Sequence, residues 1–285
     1  MRGAWLAPAL AVLAWAVAGR PTAAGVSLPA SDEADRSLPD GNALVRSMVD
    51  RQRSFEKAID QYTYDVVSTR LKLDGDGRVK ESRVRQYQVF FTNGRAMRKL
   101  VGEDGRPLPP DKAAKEDERV LKEARSARGE DRSQTEKDDH VIRLSEVLDR
   151  FDFTAVRREP MGDRSTVVVA FQALPGSWKL KHDNVLRALE GRLWIDEAER
   201  AVVRAELSNN QKVKFGGGLL ASVSSFGYTV DFVPVDDIWL PRRSEGSAAG
   251  RLMLVKGFRY RLREEFSNYR RFVVSTEETV VEPPR

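Results

Sequence analysis

GRLWIDEAERAVVRAEL, residues Gly191 to Leu207, is the stretch whose reading decides the fold. Two short strands, Arg192 to Ile195 and Ala201 to Leu207, flank the polar turn Asp196-Glu197-Ala198-Glu199. In the second strand Ala201, Val203, Ala205 and Leu207 fall on one face, and Arg204 and Glu206 on the other. Alternation of this kind marks an antiparallel sheet that is dry on one side and wet on the other. In the first strand Leu193 and Ile195 share a face, and Trp194 points away from it. Both faces there are apolar, so the Trp194 indole requires its own cover, a helix or a ligand.

The same alternation recurs along the chain. Tyr62 to Leu73 and Val79 to Phe91 flank Asp74-Gly75-Asp76-Gly77, a hairpin signal, and Arg95 to Val101 follows as a third strand. Phe153 to Arg158, Thr166 to Leu174, Lys212 to Phe215 and Phe226 to Pro234 read as strands. Further strands begin at Asp237, run from Leu252 to Arg261, and run from Phe266 to Ser275. Helical patterning is confined to Asn42–Ile59, with Asn42 as N-cap and Leu44, Val45, Met48, Val49, Phe55 and Ile59 near one face, to a charged helix at Asp111 to Arg128, and to shorter stretches at Leu144 to Phe151 and His182 to Leu189. About eleven strands and a few helices place the chain in the α+β class, built on one large antiparallel sheet.

The chain opens with Arg2, an uncharged apolar run from Ala4 to Ala18, and small-residue cleavage sites at Ala16-Val17-Ala18 and Ala23-Ala24. This is the pattern of a secretory signal peptide over residues 1–24, with cleavage near residue 18 or 24. An apolar run of about 15 residues is short for a bilayer span of roughly 20; an uncleaved anchor is the alternative. Gly25 to Gly41 reads as a flexible lead-in, and residues 42–285 as one domain. The chain has no cysteine, so the exported domain is held by its core rather than by disulfides. Loss of Arg2 and Arg20 with the leader lowers the net charge from +5 to +3, and the remaining charges of both signs are interspersed. Such a surface is a solvated one; it does not indicate nucleic acid. The segment 103–139 stands apart as a charged, aromatic-free insertion, read as an exposed helix followed by a disordered tail at Gly129 to Asp138; it is a solvated helix, a lid or a docking arm.

Catalytic patterns are missing. The two histidines, His140 and His182, each sit beside an aspartate, where adjacent side chains on a strand diverge. Gly216-Gly217-Gly218 lacks the lysine and helix of a phosphate loop, and the Asp74 turn has Arg85 where a calcium loop needs glutamate. No metal, cofactor or catalytic residue is expected, and the chain reads as a non-enzyme; an exported hydrolase with an unrecognised carboxylate pair is a third-ranked alternative. What remains is apolar surface. A long sheet with few helices to cover it has apolar area to spare for a greasy ligand. An acyl chain gains about 0.8 kcal/mol per buried methylene, so a long one gains on the order of 10 kcal/mol without any catalytic group. The residues expected at the cavity or its rim are Trp194, Phe226, Tyr228, Phe232 and Trp239, with Leu219 and Leu220 on the flexible glycine stem.

The leader, the Asn42–Ile59 helix running into Tyr62-Thr63-Tyr64, the G-x-L-W-I-D hairpin at Gly191 to Asp196, Asp237-x-Trp239-Leu240-Pro241 and Tyr269-Arg270-Arg271-Phe272 resemble the LolA/LolB-like superfamily of bacterial lipoprotein-sorting and lipid-carrier proteins. That resemblance implies a large curved sheet forming an unclosed β-barrel, covered by a few helices, in a periplasmic protein. It further implies a cavity for lipid or lipoprotein acyl chains, an inner- or outer-membrane transport partner, and transient membrane contact through an apolar loop such as Gly216 to Leu220. The insertion 103–139 departs from the typical carrier. The alternative reading is an envelope scaffold or binding subunit that docks a partner protein through the barrel rim and the insertion.

Overall fold

The computed structural model describes residues 37–58, 61–93, 95–128, 148–176, 183–215, 218–236, 238–253 and 255–271. The leader, Ile59, the tail after Arg128, both histidines and Gly216-Gly217 lie outside the described residues, as does the side chain of Phe55.

The opening hairpin is present, with β7 at Leu189–Asp196 and β8 at Ala201–Asn209. Its turn is held by Asp196, whose Oδ1 accepts from the N–H groups of Ala198 at 2.9 Å and Glu199 at 2.8 Å. One expected detail is corrected. The pairing shifts between Trp194 and Ile195, with Trp194 opposite Arg204 but Ile195 opposite Val202. This bulge places one extra residue in β8, and Ala201, Val202 and Val203 are all buried. Three consecutive apolar residues satisfy either register, so alternation alone did not mark the slip.

Around the hairpin runs one antiparallel sheet. Its other strands are β1 (Tyr62–Leu73), β2 (Val79–Thr92), β3 (Arg95–Glu103), β4 (Arg106–Pro107), β5 (Phe151–Met161), β6 (Arg164–Ala173), β9 (Val213–Phe215), β10 (Ala221–Val235), β11 (Ile238–Leu252) and β12 (Lys256–Arg271). The order is β4-β3-β2-β1-β12-β11-β10-β8-β7-β6-β5, with β9 on β10, and the sheet does not close on itself. The fold is therefore the expected open antiparallel sheet with few helices. Two expected strands near the C-terminus are one: β12 continues through Leu262-Arg263-Glu264-Glu265. The expected helix from Leu144 to Phe151 lies outside the described residues up to position 147; its described end is a 3₁₀ turn, Leu148–Arg150, and Phe151 already belongs to β5.

The helices are α1 (Gly41–Arg46), α2 (Val49–Ala58), α3 (Pro110–Ala127) and α4 (Asp183–Leu186). Asp40, not Asn42, caps α1, accepting from Ala43 N at 2.6 Å. Asn42 instead ties the helix to β5: its amide donates to Asp152 Oδ1 at 2.9 Å, and its carbonyl accepts from Phe153 N at 3.1 Å. A Cβ on Gly41 would lie 2.4 Å from Phe153 O, so only glycine allows the helix start to lie on that strand. Leu44, Val45 and Met48 then join Phe153, Val169, Phe171, Leu193 and Leu207 in the main core. This defines the inner face of the sheet.

From β3 to β12 the sheet curls toward its inner face. Arg98 on β3 reaches past β2 and β1 to Glu264 on β12, Nη2 to Oε1 at 2.6 Å. Three inter-strand steps of roughly 4.8 Å each are bridged only when the sheet curls toward that side.

The insertion's helix α3 is docked rather than free. Glu116 Oε1 accepts from Leu100 N at 2.8 Å, and Arg119 Nη2 donates to Arg98 O at 2.6 Å. Two side chains thus satisfy the backbone edge of β3 in place of a neighbouring strand, which protects that edge from pairing with another chain. Val120 and Ala124 are the buried residues of the helix; Lys99–Asp117 and Arg95–Glu123 add ion pairs. Burial alone would raise the Glu116 pKa, but the hydrogen bonds from Arg119 and Leu100, with the charge of Arg119, outweigh it and hold it below the ordinary glutamate range. A depressed folded-state pKa stabilises docking above the ordinary value, and that contribution is lost as pH falls through the folded one. Glu116→Ala is expected to speed exchange of the Leu100 amide hydrogen about ten-fold, matching a charged-acceptor hydrogen bond of ~1.5 kcal/mol. Acidification should narrow the difference between variant and wild type.

Candidate functional site

The seven residues expected at a cavity or rim divide into three groups. Trp194, Phe232 and Trp239 are buried in the main core. Phe226 and Tyr228 are half-buried and pack against it, on the inner face between β8 and β11. Leu219 and Leu220 are exposed, at 65% and 67%.

Trp194 answers the question its sequence posed. By register it lies on the outer face, beside Arg204 and opposite Leu193, yet it is only 5% exposed. Arg204, its cross-strand partner, places its guanidinium 5.5 Å from the ring centroid. The Arg157 guanidinium and the Trp194 N–H together hold the Glu159 carboxylate below the ordinary carboxylate range. Charged side chains on neighbouring strands thus border the ring, where a long aliphatic stem can lie against an aromatic face while its head stays in water.

The outer face carries a trough of about 1210 Å³ crossing eight strands from β5 to β1. Register shows how it forms. Thr154, Arg192, Glu206, Glu245 and Arg263 lie in one cross-strand row; Asp152, Gln172, Glu190, Ser247 and Arg261 lie in the next outward-facing row. The residues between them, Gly191, Tyr228 and Gly246 among others, point inward and offer their backbone as the floor. A Cβ at Gly191 would lie 2.0 Å from Glu206 O. The walls are polar and carry both signs, with Arg263 and Glu245 paired at 3.0 Å. This trough is not the apolar cavity anticipated from the sequence; it is the wet side of a half-wet sheet.

Apolar exposure is concentrated elsewhere. Met253 and Val255, in the turn between β11 and β12, are 73% and 87% exposed. Met253 N donates to Leu220 O at 3.0 Å, joining this turn to the loop that carries Leu219 and Leu220. Four large apolar side chains therefore share one end of the sheet. Met253 and Val255 escaped the sequence reading because the apolar run Leu252-Met253-Leu254-Val255 reads as the start of a strand, whereas β11 ends at Leu252 and β12 begins at Lys256.

Below this tip, on the inner face of β10, β11 and β12, Phe226, Tyr228, Ala248, Tyr260 and Leu262 remain half-buried. Burial pushes the Tyr228 hydroxyl up to about 12, so it stays protonated and uncharged in neutral solution. Among the described residues no three His, Asp or Glu side chains are grouped to hold a metal ion. No helix among them is long and apolar enough to cross a membrane.

No protein-family model and no curated protein matches the chain. Solved structures to which it is similar include a DUF1329 family protein from Desulfovibrio piger, 11% identical over 84% of this chain and 96% of that one, with a TM-score of 0.40. A LolA superfamily protein from Nitrosomonas europaea is 11% identical over 84% and 96%, at a TM-score of 0.35. An outer membrane lipoprotein-sorting protein domain from Vibrio parahaemolyticus is 8% identical over 83% and 94%, at 0.38. At such scores the likeness assigns no role to any residue of this chain.

Proposed function

We propose that the protein is a non-catalytic carrier of lipid or lipoprotein acyl chains in the bacterial periplasm, exported by its leader and working at a membrane surface. The observation that carries this reading is the exposed tip: Leu219, Leu220, Met253 and Val255, each at least 65% exposed, on two loops joined by a backbone hydrogen bond. Soluble proteins display scattered apolar residues, but four together at a sheet end mark a surface that meets a lipid or a partner. The half-buried side chains inside β10–β12 offer an acyl chain an apolar wall leading from that tip. Residues 42–285 form one carrier domain on this reading, and a transport partner in the inner or outer membrane supplies or receives the cargo.

Leu219→Glu/Leu220→Glu tests the tip. Both side chains are in water, so the variant should fold as the wild type does. Liposome flotation should fall at least ten-fold, since two inserted leucines contribute several kcal/mol of apolar transfer at most, by about 1.5–3 kcal/mol each. Undiminished flotation of the folded variant would remove these leucines from the membrane contact.

A further inference from the structure

The proposed membrane contact leaves open which lipid surface the tip recognises, and the charge around it is one-sided. Residues 207–230 and 246–263, which build the loops and the strand ends below them, contain no aspartate or glutamate. They contain Lys212, Lys214, Arg251, Lys256 and Arg259 close to the tip in sequence. This contrasts with the rest of the outer face, where arginines and glutamates alternate in ion pairs such as Arg204–Glu206 and Arg243–Glu245.

Register brings two of these cations together and sets a third beside the turn. Lys214 on β9 pairs with Ser222 on β10, and Ser222 with Arg251 on β11, so both cations lie in one row across three strands. Lys256 pairs with Leu252 in the adjoining row, whose side chains point to the opposite face of the sheet, and it immediately follows the turn that displays Met253 and Val255. The Lys214 stem also lies against the loop: its Cδ is 3.5 Å from where a Cβ on Gly218 would be. Neither Lys214, Arg251 nor Lys256 is in an ion pair among the described residues. The carboxylates on adjoining elements are Asp183 on α4 and Asp74 and Asp76 in the β1–β2 turn. Asp74 is already occupied, accepting from Asp76 N at 3.0 Å and Arg78 N at 2.9 Å.

The loops are also held in one arrangement. Met253 has φ 47°, a left-handed conformation rarely adopted by a residue with a side chain, and it is pinned by its hydrogen bond to Leu220 O. Apolar side chains at the apex with unpaired cations one and two residues behind match the layering of a bilayer: hydrocarbon first, then headgroup phosphates.

We infer that the tip is a docking site for an anionic phospholipid surface, with Leu219, Leu220, Met253 and Val255 entering the acyl boundary and Lys214, Arg251 and Lys256 binding headgroup phosphates. This rests on the proposed membrane contact and adds the charge of the membrane. Each cation near an anionic surface strengthens binding roughly five-fold, so three contribute on the order of a hundredfold at low salt.

The test is flotation of the full chain with vesicles of phosphatidylcholine alone and of phosphatidylcholine mixed with phosphatidylglycerol, at low and high salt. Wild type should bind the mixed vesicles on the order of a hundredfold better and lose that preference in high salt. Lys214→Gln/Arg251→Gln/Lys256→Gln should remove the preference while keeping the wild-type melting temperature. Equal binding to both vesicles, or a preference unchanged in the triple variant, overturns the anionic assignment and leaves the apolar contact standing. Binding to neither vesicle overturns both; capture of an acidic protein by a chain that ignores vesicles would place a protein, not a lipid, at the tip.

Discussion

Trp239→Ala should destabilise the fold by about 3–5 kcal/mol, read as a lower denaturant midpoint with an unchanged slope. Two losses combine. Trp239 is 2% exposed in the main core, so its removal leaves a large cavity. Its Nε1 also donates to Glu199 Oε2 at 3.0 Å, tying β11 to the turn of the β7–β8 hairpin. Arg164 completes the lock, bonding Asp196 at 2.9 Å and Glu199 at 2.8 Å, with its guanidinium 4.8 Å from the Trp239 ring centroid. Trp239→Phe separates the contributions: it keeps most of the volume and should cost only about 1–2 kcal/mol, chiefly the lost hydrogen bond. Equal costs for the two variants would show that the hydrogen bond, rather than packing, dominates.

Glu264→Ala is expected to have the second largest effect. Glu264 is nearly buried on the inner face, and its partner Arg98 stacks on Tyr87 at 4.5 Å. Removing the carboxylate strands a guanidinium against apolar neighbours. Breaking a fully buried pair costs roughly 3–5 kcal/mol; here the Arg98 side chain is 40% exposed, water replaces part of the interaction, and about 2–3 kcal/mol is expected. Arg98→Met/Glu264→Leu should recover most of that loss, because an apolar pair leaves no charge behind. Chemical denaturation of the three variants measures both quantities. A double variant as unstable as Glu264→Ala would mean that the pair specifies the sheet's curvature and not merely its own neutrality.

Glu264 also shows where the sequence stops being legible. Glu264 and Glu265 read as the break between two strands, because a charged run has no place on a sheet face unless something pairs with it. The partner is 166 residues away, and no local pattern announces it. Charge pairing on β3 likewise decides how α3 sits: a helix charged on most sides reads as solvated, yet Glu116 and Arg119 are spent on the edge of β3. By contrast, the half-wet sheet was legible because a period of two survives in every strand that has one dry face. Among the candidate site residues, Leu219 and Leu220 stood out through their glycine stem. Trp194, Phe232 and Trp239 could not be told from lining residues, since a large aromatic side chain on a strand looks the same in sequence whether it meets a ligand or the core. The acid-free stretches flanking the tip were readable, but their convergence depends on the β9-β10-β11-β12 register.

The polar trough and the apolar tip locate function differently, and the carrier reading follows the tip. Binding along the trough would require a polar, extended ligand. Acyl-chain carriage requires the inner wall of β10–β12 to open to a chain that enters at the tip. Native mass spectrometry of the full chain purified from a bacterial periplasm distinguishes these most directly. The carrier account predicts a protein mass accompanied by co-purified lipid or acylated protein, released by mild organic extraction. A single protein mass with neither, from preparations in which the chain is folded, would contradict it.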